Sequence, residues 1–351
     1  MRGLTISAHG GLDRIEYRTD LPKPEPKRGE IRVRVRAAAL NHLDLFVLAG
    51  MPGLTMTSVP WVLGADATGI IDAIGDLSGI ADNHLKVGDT VIINPGISDY
   101  TCEYCMTGEH SLCVHFKLLG EHLPGTLAEY ITIPAHNARS IPKDRPVEQA
   151  AAYTLSTLTA WRMVVTRARV KKGDNVLIWG IGGGVALAAL EIVRLIGAST
   201  WVTSHSDEKL ALARGLGAGY TLNYVTTSDI GKEIRARTNK RGVDVVLDTV
   251  GEATWNQSLV ALGRRGRLVT CGATSGPMVQ MDVRRLFWNQ WDIMGSTMGN
   301  ESEFDAVTNE FRAGRLTPLV DSVFDITQGR QAFERLQSGQ QFGKIVVRIP
   351  D

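Results

Sequence analysis

The sequence predicts an α/β protein in which a β-rich N-terminal part is followed by a doubly wound parallel sheet. The first observation behind this prediction is a change of pattern near Ala150, where strand-like runs give way to alternating helices and strands. The second is segment 174–209, in which an apolar run ends in a cluster of glycines before a helix and a second strand follow. Strand, glycine turn, helix and strand in this order are typical of a parallel sheet.

The N-terminal part is predicted from its alternation. In residues 30–36, Ile31, Val33 and Val35 share one face of a strand, and the arginines between them share the other face. Shorter apolar runs predict further strands at 67–74, 90–94 and 127–133. No long helix is expected before about residue 148.

The second part of the chain alternates between the two kinds of element. Its strands are predicted at 176–179, 200–203, 220–223, 243–247, 267–271 and 291–295. Helices between these strands indicate a parallel sheet with a ligand site at its switch point. The tail is predicted as a helix at 301–313, a strand at 319–324, a helix at 328–337 and a strand at 344–349. This mixed tail is expected to fold back onto the first part of the chain.

The glycine-rich turn carries the strongest functional signal. It contains Gly180, Gly182, Gly183 and Gly184, and Val185 begins the helix. Glycines let the backbone approach a pyrophosphate, and the first helical turn offers unpaired N–H groups and a positive dipole end. The turn therefore predicts a dinucleotide site.

The kind of dinucleotide is predicted from the tip of the second strand. Sites specific for NAD place an Asp or Glu there to accept the ribose 2′-hydroxyl. Here the tip carries Ser204 and His205, with Lys209 nearby and no carboxylate before Asp207. These groups suit a 2′-phosphate, so the sequence predicts NADP(H), with Tyr224 placed near the adenine. The alternative is an ordinary solvated loop and helix surface.

Composition excludes several classes of partner. The 351 residues carry 38 basic and 37 acidic side chains, a net charge of +1, which gives no electrostatic footprint for nucleic acid or an anionic membrane. No apolar run reaches the ~20 residues that span a bilayer, and the N-terminus lacks a signal-peptide core. Three of the four cysteines lie between positions 102 and 113, which is not a disulfide framework. A cytoplasmic enzyme without a nucleic-acid or membrane partner is expected.

Short motifs in a fixed order resemble those of a known family. They read VGDTV at 87–91, GTLAEY at 125–130, LTAW at 158–161, LGA at 216–218, GRLV at 266–269 and FGKIV at 342–346. In this order, and over essentially its whole length, the chain resembles the medium-chain dehydrogenase/reductase superfamily, which includes zinc alcohol dehydrogenases and quinone oxidoreductases. The resemblance implies a GroES-like substrate domain at 1–155 and 297–351, with a metal lobe near 95–115. It also implies a Rossmann domain at 156–296 and an active site in the cleft between the domains.

The resemblance implies that the catalytic zinc is lost. Zinc-dependent members hold the metal with a Cys, a His followed by Glu, and a second Cys or Asp. Here those positions fall on Asn41, on the pair Ala65-Asp66 and close to Leu155. Asn, Ala and Leu side chains do not replace thiolate or imidazole ligands. His42 is interpreted as a phosphate contact or a structural residue, not as a stray zinc ligand.

The loss of zinc constrains the expected chemistry. Without a Lewis acid to lower the pKa of a hydroxyl group, hydride transfer from NADPH to an already polarised acceptor is favoured. The implied acceptors are quinones or the C=C bond of enals, enones or enoyl thioesters. Asn41 is a candidate hydrogen-bond donor or a turn-forming residue, and Tyr153 is a candidate proton donor, a ring lid or a buried aromatic. The alternatives are a zinc-free alcohol or carbonyl oxidoreductase and a non-catalytic nucleotide-binding protein.

Family positions imply further contacts. Thr159 matches a position near the nicotinamide ribose or amide. Backbone groups that follow the fourth and fifth strands normally meet the cofactor, and these belong to Val250, Gly272 and Ala273. Asp44 is expected to pair with Lys344 under the active site, the alternative being two solvated surface charges.

A cysteine-rich segment predicts one structural zinc ion. Its four candidate ligands are Asp99, Cys102, Cys105 and Cys113. The spacing reproduces that of the family's structural zinc lobe, with Asp in place of the first of four cysteines, and an Asp oxygen is a legitimate ligand. The alternatives are His110 or His115 as the fourth ligand, an empty lobe, or a redox-active pair of the first two cysteines.

Residues 291–295 predict an edge strand that is apolar at Trp291, Ile293 and Met294. An uncovered apolar edge invites aggregation. The resemblance implies that the same strand of a second subunit covers it across a two-fold axis, which gives a homodimer or a tetramer. The alternative is a short edge protected by its own loops.

Overall fold

The computed structural model describes residues 1–51, 54–78 and 84–350. The chain divides into two compact units, the first made of Met1–Ser156 with Asn300–Asp351 and the second of Thr157–Gly299. The predicted domain limits, at 155/156 and 296/297, fall close to this division. No helix in the described part of the chain is both long and apolar enough to cross a bilayer.

The strands among the described residues are short in most cases. In chain order they are β1 Gly3–Ile6, β2 Glu16–Arg18, β3 Glu30–Ala39, β4 Trp61–Val62, β5 Asp66–Ile74, β6 Thr90–Ile93, β7 Gly96–Ile97, β8 Lys117–Leu118, β9 Tyr130–Pro134, β10 Ala138–Ser140, β11 Asn175–Ile178, β12 Ser199–Ser204, β13 Tyr220–Asn223, β14 Val243–Asp248, β15 Leu262–Thr270, β16 Asp292–Gly295, β17 Val320–Asp325 and β18 Lys344–Arg348.

The helices complete the element order. They are α1 His42–Ala49, α2 Glu103–Met106, α3 Val147–Ala151, α4 Thr154–Trp161, α5 Gly184–Ile196, α6 Asp207–Gly215, α7 Ile230–Arg237, α8 Glu252–Ala261, α9 Val283–Asn289, α10 Glu301–Arg312 and α11 Gly329–Gln337. A π-helical turn, Arg162–Arg167, continues α4.

The first unit is built on a seven-stranded sheet. Its order is β10-β6-β5-β3-β18-β17, and β9 also pairs with β3. The alternation predicted for β3 is confirmed, since Ile31, Val33 and Val35 are buried in the core. Arg32 is buried as well, because its guanidinium pairs with Asp72 at 2.8 Å. β18 pairs with β3, so the C-terminal tail folds onto the first part of the chain as predicted.

Helix α1 was not predicted from the sequence. Its start is fixed by Asp44, whose carboxylate accepts the N–H of Asn41 at 2.7 Å. It ends at Gly50, which adopts a left-handed φ of 84°. An Asn followed three residues later by an acid, ahead of an apolar run, is a capping signal that predicts such a helix.

The second unit holds a six-stranded sheet in which all the pairings are parallel, with order β13-β12-β11-β14-β15-β16. The predicted doubly wound sheet is therefore confirmed. The strand order reverses between β11 and β14, which makes their carboxyl ends the switch point where ligands bind in such sheets. β15 begins at Leu262, earlier than the predicted residue 267.

Strand β16 lies at the edge of this sheet, as predicted. Trp291, predicted within the strand, precedes it and is buried, with its indole N–H donated to the carbonyl of Gly263 at 2.7 Å. Ile293 and Met294 are half-buried. The apolar character of the edge therefore rests on two side chains and not on the predicted three.

Candidate active site and metal lobe

The glycine turn lies directly after β11. Gly180 has φ 67° and Gly182 has φ 125°, both in the left-handed region that favours glycine. The N–H of Gly180 is donated to the Thr203 hydroxyl at 3.2 Å, and the N–H of Ile181 to the Thr203 carbonyl at 2.8 Å. These bonds fix the turn to β12.

Gly183 provides a test of whether a dinucleotide fits this turn. It caps α5 with φ −77° and ψ 154°, a conformation open to any residue. An added Cβ would meet only the carbonyl oxygen of Gly180, at 3.9 Å, which is an ordinary contact. Neither backbone strain nor packing among the described residues therefore requires glycine. A pyrophosphate lying against the backbone would supply such a requirement, and the first turn of α5, Gly184 and Val185, is half-buried.

The tip of β12 gathers the residues predicted to select the dinucleotide. Ser204 is buried, and its hydroxyl accepts the N–H of Ser206 at 3.2 Å. The Ser206 hydroxyl accepts the N–H of Lys209 at 3.3 Å and so begins α6. His205 is exposed, with Nδ1 3.2 Å from the Tyr224 hydroxyl. The structure thus links Ser204, His205, Lys209 and Tyr224 at one sheet edge.

The first carboxylate after β12 is already engaged. Asp207 Oδ1 accepts a hydrogen bond from Asn223 Nδ2 at 2.8 Å, at the end of β13. Asp207 is therefore held by β13 and lies in the first turn of α6, beyond the tip of β12.

The remaining predicted cofactor contacts of this unit fall in two places. Val250 and the loop containing Gly272 and Ala273 are bonded together, since Ser275 donates its N–H to the Val250 carbonyl at 2.8 Å. Thr159 lies on α4 and is buried, with its hydroxyl 3.7 Å from Met298 Sδ. Their roles toward a cofactor stay predictions.

A buried carboxylate ties together the three positions of the first unit that match the family's zinc ligands. Asp66 Oδ1 accepts the N–H of Leu155 at 2.7 Å. Its Oδ2 accepts from Asn41 Nδ2 and from Lys344 Nζ, both at 3.1 Å. Asp66, Asn41 and Lys344 are all buried. The polar groups at these positions thus satisfy one another.

The predicted salt bridge between Asp44 and Lys344 is wrong, because the partner of Lys344 is a different carboxylate. Lys344 forms its salt bridge with Asp66, because β5 and β18 both pair with the same end of β3. Asp44 instead caps α1, where burial raises its pKa to about 7 although the Asn41 N–H opposes that shift.

Asn41 was predicted to offer its amide hydrogens to an acceptor molecule or to form a turn. Its Nδ2 donates to Asp66 and, at 3.4 Å, to the carbonyl of Ala39, while its Oδ1 accepts from Lys344. The amide is therefore engaged within the protein. His42 follows as the first residue of α1, with an exposed side chain, and its phosphate contact stays a prediction.

Tyr153 corresponds to the buried-aromatic alternative. Its ring is fully buried and lies 4.5 Å from that of Phe311. Its hydroxyl donates to the Val307 carbonyl at 2.7 Å. Tyr153 is accordingly a core residue whose hydroxyl is engaged within the protein, and a role as proton donor stays a prediction.

The metal lobe brings its four predicted ligands together. The ligand atoms of Asp99, Cys102, Cys105 and Cys113 all lie within 4.8 Å of one another. In the described part of the chain, this is the one cluster of three or more His, Cys, Asp or Glu side chains with such spacing. Zinc bonds of ~2.0–2.3 Å place ligand atoms roughly 4 Å apart, so this set fits a tetrahedral ion after small adjustments.

The two histidines considered as substitute ligands have other partners. His115 Nδ1 lies 2.6 Å from Asp99 Oδ2, and this bond lowers the pKa of Asp99, which favours the ionised form that binds metals. His110 Nδ1 accepts the N–H of Glu301 at 3.3 Å, and its ring lies 4.7 Å from that of Tyr100. The geometry therefore favours Asp99 as the fourth ligand.

Comparisons with known proteins show which family this chain resembles. Two family models match, the alcohol dehydrogenase GroES-like domain at residues 27–143 and the zinc-binding dehydrogenase model at residues 184–313. A zinc-type alcohol dehydrogenase-like protein of Schizosaccharomyces pombe is 32% identical over 92% of this chain and 91% of its own. An acryloyl-coenzyme A reductase of Sulfurisphaera tokodaii is 26% identical over 94% of this chain and 95% of its own. A crystal structure of an NAD-dependent alcohol dehydrogenase is 39% identical with a TM-score of 0.92, and the match covers 100% of both chains.

Proposed function

The chain belongs to the medium-chain dehydrogenase/reductase superfamily, and from that premise we propose that it is a zinc-free, NADPH-dependent reductase of activated acceptors. The acceptor is a quinone or the C=C bond of an α,β-unsaturated carbonyl compound. The broader statement, an oxidoreductase that uses a nicotinamide cofactor, follows from the family itself.

The contacts around Asp66 are the observation that carries the zinc-free part of the proposal. An amide, a methyl group and a backbone N–H stand at the three ligand positions, and none of them is a zinc ligand. The carboxylate between them is already paired with the buried ammonium of Lys344. A divalent cation placed there would meet that ammonium without a thiolate or imidazole to hold it.

Because the groups at these three positions do not hold zinc, the site favours acceptors that are polarised before they bind. When bound, reduced nicotinamide supplies a hydride. A quinone or an enoyl compound takes hydride at an electron-poor carbon, so the protein has to orient the acceptor and exclude water. Oxidation of a simple alcohol also requires loss of the hydroxyl proton, which zinc normally assists. The similarity to an acryloyl-coenzyme A reductase supports the activated-alkene class.

The preference for NADPH rests on the tip of β12. Ser204, His205 and Lys209 offer two neutral polar groups and a cation, while Asp207 is bonded to Asn223. A 2′-phosphate would gain a charge-assisted hydrogen bond from the Lys209 ammonium and neutral hydrogen bonds from the other two side chains.

One observation favours a second candidate, an alcohol or carbonyl oxidoreductase. The similarity to an NAD-dependent alcohol dehydrogenase extends over the full chain at 39% identity. For the non-catalytic nucleotide-binding alternative we find no supporting observation.

Cofactor and acceptor titrations test the proposal. Lys209→Ala should raise the Kd of NADPH by about 10- to 100-fold, the equivalent of ~1.5–3 kcal/mol, and leave NADH binding unchanged. Lys232→Ala, which removes an exposed lysine of the same unit, is the matched control. Wild-type protein that binds NADH as tightly as NADPH would refute the cofactor assignment.

Acceptor specificity is measured with NADPH and four substrates: an enal, an enoyl thioester, a quinone and a ketone. We expect turnover of at least one of the first three, and no loss of rate on dialysis against a zinc chelator that leaves the fold intact. Faster reduction of the ketone than of the other three would favour the alcohol dehydrogenase alternative.

A further inference from the structure

The buried carboxylate of Asp248, at the end of β14, organises the loop that follows it. Its Oδ1 accepts the N–H of Val250 at 2.9 Å and the N–H of Gly251 at 3.0 Å. Its Oδ2 accepts the hydroxyls of Thr254 at 2.8 Å and Ser258 at 2.9 Å. Asp248 is fully buried, and in the described part of the chain no cationic side chain forms a salt bridge with it. Both carboxylate oxygens of Asp248 are thus used in hydrogen bonds that hold the conformation of this loop and the helix after it.

The same network reaches the glycine turn. The indole N–H of Trp179 is donated to the Ser258 hydroxyl at 2.8 Å. Trp179 is buried and directly precedes Gly180, the first residue of the turn after β11. Through Ser258, Asp248 therefore connects the carboxyl ends of the two strands that flank the switch point.

The loop after β15 is joined to the loop after β14. Ser275 donates both its N–H and its hydroxyl to the Val250 carbonyl, each at 2.8 Å. Gly251 has φ 91°, and a Cβ at this position would lie 2.7 Å from the Gly276 carbonyl oxygen and 3.0 Å from Ala273 Cα. The backbones of the two loops are therefore in close contact, and a displacement of one loop is expected to displace the other.

From these contacts we infer that Asp248 is a positioning residue for the nicotinamide half of the bound dinucleotide. A doubly wound sheet binds one mononucleotide on each side of its switch point. The tip of β12, with Ser204 and Lys209, lies on one side of β11, and β14 and β15 lie on the other. Asp248 bonds directly to the backbone of the second side, at Val250 and Gly251, and reaches the glycine turn only through Ser258 and Trp179. The inference rests on the proposed function insofar as it takes NADP(H) to be the ligand of this unit.

The test compares two ligands on the full-length protein, NADPH and 2′,5′-ADP, which carries only the adenosine half. Asp248→Asn keeps the size of the side chain but replaces one acceptor oxygen by a donor. We expect the Kd of NADPH to rise by about 10-fold or more, because a loop displaced by a fraction of an ångström misplaces the reacting ring. The Kd of 2′,5′-ADP should stay within about 2-fold of wild type, since that half lies across the switch point.

A parallel weakening of both ligands would overturn the inference, because it would indicate a general structural role. Unchanged NADPH binding would overturn it as well. If Asp248→Asn does not fold, Thr254→Val removes one hydroxyl donor and should shift NADPH binding in the same direction by a smaller factor, while Thr254→Ser restores it. Wild-type protein that binds neither ligand would refute the proposed function together with this inference, whereas the other outcomes concern Asp248 alone.

Discussion

Two buried carboxylates near the start of α1 are held in different ways. Asp66 has the ammonium of Lys344 as a partner, so its charge is balanced inside the core. Asp44 is held by the backbone N–H of Asn41, and burial raises its pKa to about 7. Asp44 is thus a buried carboxyl group whose protonation links the stability of the first unit to pH.

This linkage predicts the pH dependence of stability. The pKa of Asp44 is about 7 in the folded state and 3.8 as a model value, so the folded protein binds this proton more tightly. The stabilisation is fully present below about pH 4 and is lost as pH rises through 7, at about 1.4 kcal/mol per pH unit at most.

Urea unfolding at intervals between about pH 5.5 and 8.5 measures the effect. Wild-type stability should fall toward neutral pH and level off above it, and Asp44→Asn should lack this component. Identical pH profiles for the two proteins would contradict the assignment.

The sequence pattern predicted the strands and helices that are specified by residues close together in the chain. Strand alternation in β3 and the strand–glycine–helix order around Gly180 both survive in the structure. The partner of Lys344 was not predictable in this way, because it depends on β5 and β18 pairing with the same end of β3. The burial of Arg32 was not predicted for a similar reason, since its acid, Asp72, lies on another strand. A period-two pattern specifies faces but not the charges that neighbouring strands bring to them.

Substitution by alanine should impair cofactor binding at Gly183 and fold stability at Gly180. Gly183→Ala meets no strain, so the free energy of unfolding should change by less than about 1 kcal/mol, while the Kd of NADPH rises by about 10-fold or more because a methyl group blocks the pyrophosphate. Gly180→Ala places a side chain at φ 67° and should destabilise the fold by about 1 kcal/mol or more. Thermal unfolding and NADPH titration of both variants provide the measurement. Full NADPH affinity in a folded Gly183→Ala variant would argue against a pyrophosphate at this turn.

The metal lobe is expected to bind no more than one zinc ion per chain. Cys105→Ala removes a buried thiol of the cluster and should abolish that zinc, while NADPH binding stays within about 2-fold of wild type because the lobe belongs to the first unit. Cys271→Ala removes a cysteine of the second unit and is the control. Elemental analysis of the purified proteins gives the zinc content. Two zinc ions in wild type, or zinc retained by Cys105→Ala, would contradict the assignment.

For the whole molecule, the edge of the six-stranded sheet predicts a homodimer. β16 presents the half-buried side chains of Ile293 and Met294, and no strand of the described chain pairs with its outer edge. Pairing with the same strand of a second copy would continue the sheet across a two-fold axis. Ile293→Lys places a charge there and should give monomers or aggregates.

Sedimentation at micromolar concentration tests this prediction. Wild type should sediment at twice the chain mass of 38.2 kDa. Val323→Lys, on the edge strand β17 of the first unit, is the control and should leave the dimer intact. A wild type that sediments as a monomer would refute the homodimer.

The pairing of β3 with β18 also constrains how the protein is made. One edge of β3 is shared, with β9 covering residues 30–34 and β18 covering residues 37–39. A ribosome that adds roughly 5–20 residues per second needs about 15–60 s to advance the ~300 positions from the end of β3 to the start of β18. Until β18 is made, the alanine-rich end of β3 lacks a partner on one edge, and the whole of the second unit is synthesised in the meantime. The first unit therefore cannot complete its sheet before β18 has been made, and until then the edge of β3 is open to pairing with another chain.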